Sequence, residues 1–107
     1  MLAVKILYRK NLKMSTGKVA AQCSHAASRL TKMTDQITVK TVCLGVSNKK
    51  FEEARQNCID NNLQYCTIRD AGRTEVESGS ETVIGWVMDS INIESIFSTI
   101  LGNSNEG

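Results

Sequence analysis

Two segments of the chain carry residues whose types and spacing could do chemistry. The first reads TGKVAAQCSHAASRL over residues 16–30, and its polar residues recur every three or four positions. The row comprises Lys18, Gln22, His25, Arg29 and Lys32. On an α-helix these side chains would lie within about 80° of one another, at about 100° per residue. The row borders the apolar face of the same helix, so it can line a cleft; a solvated helix edge is the alternative interpretation.

The second segment, DAGRT at residues 70–74, places a carboxylate, a glycine, an arginine and a hydroxyl directly after an apolar stretch. Open α/β sheets bind ligands outside the carboxyl ends of their strands. If the strands before the two segments run parallel, we expect Asp70 and Lys18 to share one rim of the sheet. Further candidates near them are Arg73, Thr74 and Thr82. The alternative is a tight turn in which Asp70 accepts backbone amides.

Hydrophobic periodicity predicts the elements that must position these residues, in the order βαβαββα. The predicted strands cover residues 2–9, 37–46, 63–69 and 82–88, and the predicted helices begin near Gly17, after Ser47 or Asn48, and at residue 91. We expect the first helix to end near Thr34, with Met33 on its apolar face. The expected α/β fold is a three-layer α/β/α domain with a small four-stranded mixed sheet. It spans residues 1–107 as a single domain, with a frayed tail at 102–107.

The charges are distributed unevenly along the chain. The net charge is only +2, but no acidic residue precedes Asp35, and all eleven acidic residues lie from Asp35 onward. Such a basic segment favours a polyanionic partner, with nucleic acid first and phosphometabolites second; a basic surface without a partner is the alternative. Apolar residues make up 41% and charged residues 22% of the chain, which is ordinary globular usage and argues against disorder.

The cysteines and the apolar runs bear on the compartment. Cys23, Cys43, Cys58 and Cys66 show no zinc-type spacing, so we expect buried free thiols in a reducing compartment. No apolar run has the length of a leader h-region or of a membrane span, which predicts a cytoplasmic protein without a membrane partner.

Together the two segments resemble a known family. KMSTGKVAAQCSHAA at residues 13–27 is similar to the K-M-x-x-G-K-x-A-A-Q-x-x-H-A signature of type 2 peptidyl-tRNA hydrolases, the archaeal and eukaryotic kind. DAGRTEVESGSETVIG at residues 70–85 is similar to their second signature, D-A-G-R-T followed by x-G-S-x-T-V-L-G. The predicted order of elements also agrees with the family's fold, so the resemblance covers residues 4–101.

The resemblance implies an enzyme that hydrolyses the ester joining a peptide to the 3′-ribose of tRNA, with peptidyl-tRNA as its substrate and no cofactor or metal. Carried over by motif position, the catalytic candidates are Lys18, Gln22, Asp70, Thr74 and Thr82. The residues expected to bind tRNA are Lys10, Lys13, Lys18, Arg29, Lys32 and Arg73. Asp70 could position or deprotonate the water, and Lys18 could stabilise the oxyanion or hold the 3′-terminal phosphate. His25 also matches the family, and we expect its ring to be a structural hydrogen bonder.

The chain departs from the family pattern in two places. The connection between the first helix and the second strand is short, and WVMDS follows Gly85 where the family has a glycine-proline turn. The first departure trims a family helix, and the second affects the last helix and leaves a homodimer open. Two alternative functions remain: a tRNA- or RNA-binding module without catalysis, and an interaction protein that reuses the fold.

Overall fold

The computed structural model describes residues 2–36, 38–70 and 79–89. The elements are β1 (Leu2–Arg9), a 3₁₀ turn (Lys10–Leu12), α1 (Thr16–Thr31), β2 (Thr38–Val46), α2 (Asn48–Asp60), β3 (Tyr65–Arg69) and β4 (Glu81–Asp89). Their order agrees with the prediction as far as β4. The last predicted helix, at residues 91–101, lies outside the described residues, as do Arg73 and Thr74.

The described strands form a four-stranded mixed sheet in the order β2-β1-β4-β3. Strand β1 pairs with β2 in parallel and with β4 antiparallel, and β4 pairs with β3 antiparallel. Because β4 opposes both β1 and β3, these two strands run in the same direction. Their carboxyl ends therefore lie at one rim of the sheet, as the sequence predicts.

The two helices cover opposite faces of this sheet. Cys23, Ala26 and Leu30 of α1 pack in one buried cluster with Val4 and Ile6 of β1. On the other face, α2 residues pack against alternate positions of the same strand, and this second cluster contains Ala3, Leu7, Phe51, Ala54, Cys58 and Trp86. The three-layer α/β/α arrangement is thus confirmed for the described residues.

Close packing of α1 on β4 depends on Gly85. A Cβ at this position would lie 2.7 Å from Leu30 Cδ1 and 3.2 Å from the Lys5 carbonyl oxygen. Such contacts are too short for a well-packed core, so a side chain here would require the Leu30 side chain or the helix that carries it to move. Gly85 therefore lets α1 approach the strand that carries Thr82.

The first helix ends earlier than predicted. Residue Lys32 is the C-cap, and the amides of Lys32 and Met33 donate to Arg29 O (3.2 Å) and Leu30 O (3.0 Å). These are i to i−3 bonds, which tighten the last turn and take the chain off the helical face. Met33 is consequently 36% exposed, and its predicted place in the core is wrong.

The third strand also begins later than predicted, at Tyr65 instead of residue 63. Asn62 has φ 53°, and Leu63 N donates to Cys58 O at 2.9 Å. This is the bond pattern of a Schellman C-cap, in which a left-handed residue ends the helix. Leu63 therefore belongs to the end of α2, where it packs against the apolar cluster between α2 and the sheet.

The four cysteines are free, and three of them are buried as predicted. Cys43 is exposed, so the prediction is wrong at this position. The reason is the placement of α1, which packs mainly over β4, β1 and β3. It leaves one face of β2 in the wall of an open groove of about 380 Å³, lined in part by Ile6, Val19, Cys23 and Cys43. No helix within the described ranges has the length and apolar character to cross a membrane.

Candidate active site

The start of α1 presents Lys18 toward the sheet. Ser15 is the N-cap, and its hydroxyl accepts a hydrogen bond from Lys18 N at 3.3 Å. A lysine in the first turn is unfavourable, because the helix dipole is positive there. The Lys18 ammonium contacts Asp70 Oδ1, so a carboxylate lies beside the helix start and offsets this repulsion.

Asp70 is held where β3 ends and the chain turns toward β4. Its amide donates to Ser80 O and its carbonyl accepts from Gly79 N, both at 2.9 Å. The side chain of Asp70 is 3% exposed, and that of Lys18 is 12% exposed. Each charge compensates the other where little water reaches them, so the contact helps to fix both groups.

A second contact lies one helical turn further along α1. The Thr82 hydroxyl donates to Gln22 Oε1 at 2.7 Å, and Ile68 O lies 3.3 Å from the same hydroxyl. Thr82 is fully buried. Lys18 and Gln22 therefore reach the ends of β3 and β4 side by side, which brings four of the five predicted catalytic residues together.

An irregularity in β4 directs Thr82 toward the helix. Ile68 pairs with Val83 and Arg69 pairs with Glu81, so Thr82 is an extra residue in the ladder. Val83 packs in the cluster beneath α1, and Thr82 also reaches α1. In a regular strand these two neighbours would face opposite sides; a β-bulge turns both to one side.

The predicted tRNA-binding residues fall into two groups. Lys10 and Lys13 are exposed beside the rim, and Lys13 adopts a left-handed conformation with φ 54°. Arg29 and Lys32 lie toward the other end of α1, where Lys32 is about 21 Å from Lys18 along the helix axis at about 1.5 Å per residue. Arg73 lies outside the described residues, and so does the catalytic candidate Thr74.

Arg29 and His25 contact each other on the exposed side of the row. Arg29 Nη1 donates to Thr67 O at 3.3 Å, and its Nη2 lies 3.5 Å from His25 Nε2. His25 is exposed and lies one turn beyond Gln22. This arrangement suits the predicted structural role of His25, although it leaves that role a prediction.

Sequence reasoning missed a group of charges on the opposite face of the same rim. Arg55 of α2 makes a two-pronged contact with Glu81, and Arg69 lies 3.6 Å from the same carboxylate. Burial opposes the ionisation of Glu81, but hydrogen bonds from Arg55 and Thr67 and the nearby arginine charges outweigh it and lower its pKa. The hydrogen bond to Glu81 in turn raises the pKa of the Arg55 guanidinium. No spacing in the sequence indicates this contact, because it joins a helix to a residue predicted to lie in a loop.

No group of three or more His, Cys, Asp or Glu residues in the described part of the chain is arranged to hold a metal ion. The groups at the rim are an ammonium, a carboxylate, an amide and a hydroxyl, all suited to hydrogen bonding. Together they can bind a carbonyl or phosphate oxygen and stabilise developing negative charge.

This fold and rim chemistry define a known class. The family described as peptidyl-tRNA hydrolase PTH2 matches residues 2–100, and the chain belongs to this family. Among its relatives, peptidyl-tRNA hydrolase 2, mitochondrial, of Mus musculus is 36% identical over 75% of this chain and 51% of its own length. The peptidyl-tRNA hydrolases of Sulfurisphaera tokodaii and Methanococcus maripaludis are 34% and 38% identical, each over 75% of this chain and 79% of the relative. The chain thus spans about half the length of the mouse relative.

Proposed function

We propose that this protein hydrolyses the ester bond between peptide and tRNA in peptidyl-tRNA, which recycles tRNA from abandoned translation. Its family membership and the names of its relatives support the proposal. The observation that carries it is the contact of Lys18 with Asp70 beside that of Gln22 with Thr82, at the rim where β1 and β3 end.

Lys18 is the residue we assign to the reacting carbonyl. Attack of water on an ester produces a tetrahedral oxyanion, and a fixed cation lowers the energy of that state. An ammonium has three N–H donors, and the contact with Asp70 uses one of them. In this proposal Asp70 holds the ammonium in position, so that no reorganisation is required when charge develops. A role for Asp70 in positioning or deprotonating the water stays a prediction.

Gln22 and Thr82 suit recognition of the peptide backbone. Because the Thr82 hydroxyl donates to Gln22 Oε1, the side-chain amide has its N–H donors for a carbonyl oxygen. Backbone recognition would accept any peptide, which the proposed substrate requires. Thr74 and Arg73 are retained as catalytic and tRNA-binding candidates from the family motif alone.

The exposed cations support contact with the tRNA backbone. Lys10 and Lys13 lie beside the rim, whereas Arg29 and Lys32 extend along α1. Phosphate contacts of this kind are largely independent of sequence, and they weaken with salt because the release of counterions on binding becomes less favourable as the salt concentration rises. We expect affinity for tRNA to fall steeply with salt concentration.

The test is release of labelled peptide from purified peptidyl-tRNA under single-turnover conditions. We expect the wild-type chain to release peptide and Lys18→Ala to be slower by about 10²-fold, the usual effect of removing one oxyanion donor. Binding of tRNA without release in the wild type would favour a binding module. If the wild type shows neither tRNA binding nor peptide release, the result would favour an interaction protein.

We further propose a single domain over residues 1–107 and a cytoplasmic location, which the free thiols support. Cell fractionation tests the location, and it matters because the mouse relative is named mitochondrial. A homodimer stays a prediction, and light scattering of the purified chain decides it.

A further inference from the structure

A chain of alternating charges lies on the sheet face opposite the candidate site. Its ion pairs are Arg9–Glu52 (2.9 Å), Glu52–Arg55 (3.0 Å), Arg55–Glu81 and Glu81–Arg69 (3.6 Å). Arg9 also lies over the Phe51 ring, 4.1 Å from its centroid. The Arg55–Glu81 contact joins α2 to the first residue of β4.

Two members of this chain directly precede site residues in sequence. Arg69 precedes Asp70, and Glu81 precedes Thr82. In each case the charged residue contacts groups on the α2 side, while the next residue contacts α1. The two faces of the rim are therefore linked through adjacent backbone positions.

The orientation of Thr82 depends on the bulge, and the bulge depends on where Glu81 lies. A shift of one residue in strand register would exchange the faces of successive side chains. It would turn Thr82 away from Gln22 and disturb the bonds from Asp70 N to Ser80 O and from Gly79 N to Asp70 O. Contacts that hold Glu81 on the α2 side oppose that shift.

We propose that Arg55 and Glu81 are positioning residues, which hold the bulge in β4 and so orient Thr82 and Asp70 toward α1. The effect on rate rests on the proposed function, whereas the effect on the strand ends does not. Arg55 and Glu81 side chains are 24% and 16% exposed, so their two-pronged contact is largely shielded from water. Arg69 is 68% exposed, and its more distant contact adds less.

The experiment compares Arg55→Ala, Arg55→Lys and Glu81→Gln with wild type. A matched control is Lys50→Ala, which removes an ion pair to Glu53 at 3.6 Å on the same helix. Hydrogen exchange of the Asp70 and Gly79 amides reports the strand ends, and exchange of the Cys23 and Ala26 amides reports whether α1 stays folded.

For Arg55→Ala and Glu81→Gln we expect amide exchange at Asp70 and Gly79 to accelerate at least tenfold, with α1 unchanged. In peptidyl-tRNA hydrolysis kcat should fall about tenfold while KM stays within twofold. Arg55→Lys should recover part of both effects, and Lys50→Ala should change neither. Glu81→Gln leaves the helix sequence intact, so it tests the proposal even if Arg55→Ala fails to fold.

Exchange at Asp70 and Gly79 within twofold of wild type in folded Glu81→Gln would overturn the proposal. So would faster exchange with an unchanged kcat. If wild type releases no peptide at all, the proposed function fails, and the exchange measurement still decides whether this pair holds the strand ends.

Discussion

The Lys18 ammonium and the Asp70 carboxylate meet across 52 positions of sequence, one from the first turn of α1 and the other from the end of β3. Both side chains are largely buried. Removing one member leaves the other as a buried charge with less compensation, whereas neutralising both does not. Single and double variants of this pair can therefore separate an effect on stability from an effect on catalysis.

We predict that Lys18→Met destabilises the fold by about 3 kcal/mol, because the buried Asp70 carboxylate loses the charge compensation that the Lys18 ammonium gives it. The double variant Lys18→Met, Asp70→Asn should recover most of that loss, since neither group is charged. Hydrolysis should stay at least about 10²-fold below wild type in both, because the ammonium is missing. Urea denaturation and single-turnover release measure the two effects.

The control is Asp70→Asn alone, which retains Lys18. If Asp70 activates the water, this variant should lose at least about 10²-fold in rate. If Asp70 acts by holding Lys18, the loss should be smaller. Wild-type rates in Lys18→Met would remove the ammonium from the mechanism.

Thr82 gives a second prediction, concerning the orientation of Gln22. Thr82→Val keeps the shape of the buried side chain but removes the hydroxyl that donates to Gln22 Oε1. Stability should fall by about 1–2 kcal/mol, the usual cost of an unsatisfied buried polar group. Hydrolysis should fall about tenfold, because the Gln22 amide is free to rotate.

Thr82→Ser is the matched control, since it retains the hydroxyl and removes only a methyl group. We expect it to keep most of the wild-type rate. Equal losses in Thr82→Ser and Thr82→Val would assign the effect to packing and exclude the hydrogen bond.

The meeting of Lys18 and Asp70 could be predicted from sequence, because it follows from topology. A helix follows β1, and an acidic residue follows β3; once these strands run in the same direction, both groups lie at one rim. The mostly apolar composition of β1 is likewise typical of a central strand covered on both faces, and Ala3, Ile6 and Leu7 are fully buried.

Features that depend on a single residue of register could not be predicted. The bulge at Thr82 inserts one position without any mark in composition, so Glu81 was expected in a loop and its contact with Arg55 was missed. Met33 fits the apolar period of α1, but the tightened last turn removes it from the helix. In both cases local hydrogen bonds override a pattern that is otherwise correct.

The Glu81 carboxylate gives a prediction for pH. Its pKa in the folded protein lies below the ordinary value of 4.5. A group with a lowered folded pKa contributes stability above its unfolded pKa, and that contribution is lost as pH falls through the folded value. We expect wild type to be more stable than Glu81→Gln at pH 7, and this difference to shrink below pH 4.5.

Urea denaturation of both proteins at neutral and acidic pH measures the difference. Other carboxylates titrate in both proteins, so only the difference between the two reports on Glu81. A difference that stays constant between pH 7 and pH 3 would show that the Glu81 charge does not contribute to stability.

The thiols give the last prediction, because only one of the four is accessible. Cys43 faces the open groove beside β2, while burial raises the pKa of Cys58 to about 12. The pKa of Cys23 is also raised to about 12, mainly by burial and further by the neighbouring Cys43. At pH 8 a thiol with such a pKa is ionised to only about one part in 10⁴, and the thiolate is the reactive form.

We therefore expect an aromatic disulfide reagent to titrate one thiol rapidly in the folded protein and all four in urea. Because the Cys43 side chain is exposed, Cys43→Ala should leave the fold intact. It should abolish the rapid labelling and leave any slow labelling of the three buried thiols unchanged. Rapid labelling that persists in Cys43→Ala would mean that α1 opens from the sheet and exposes Cys23.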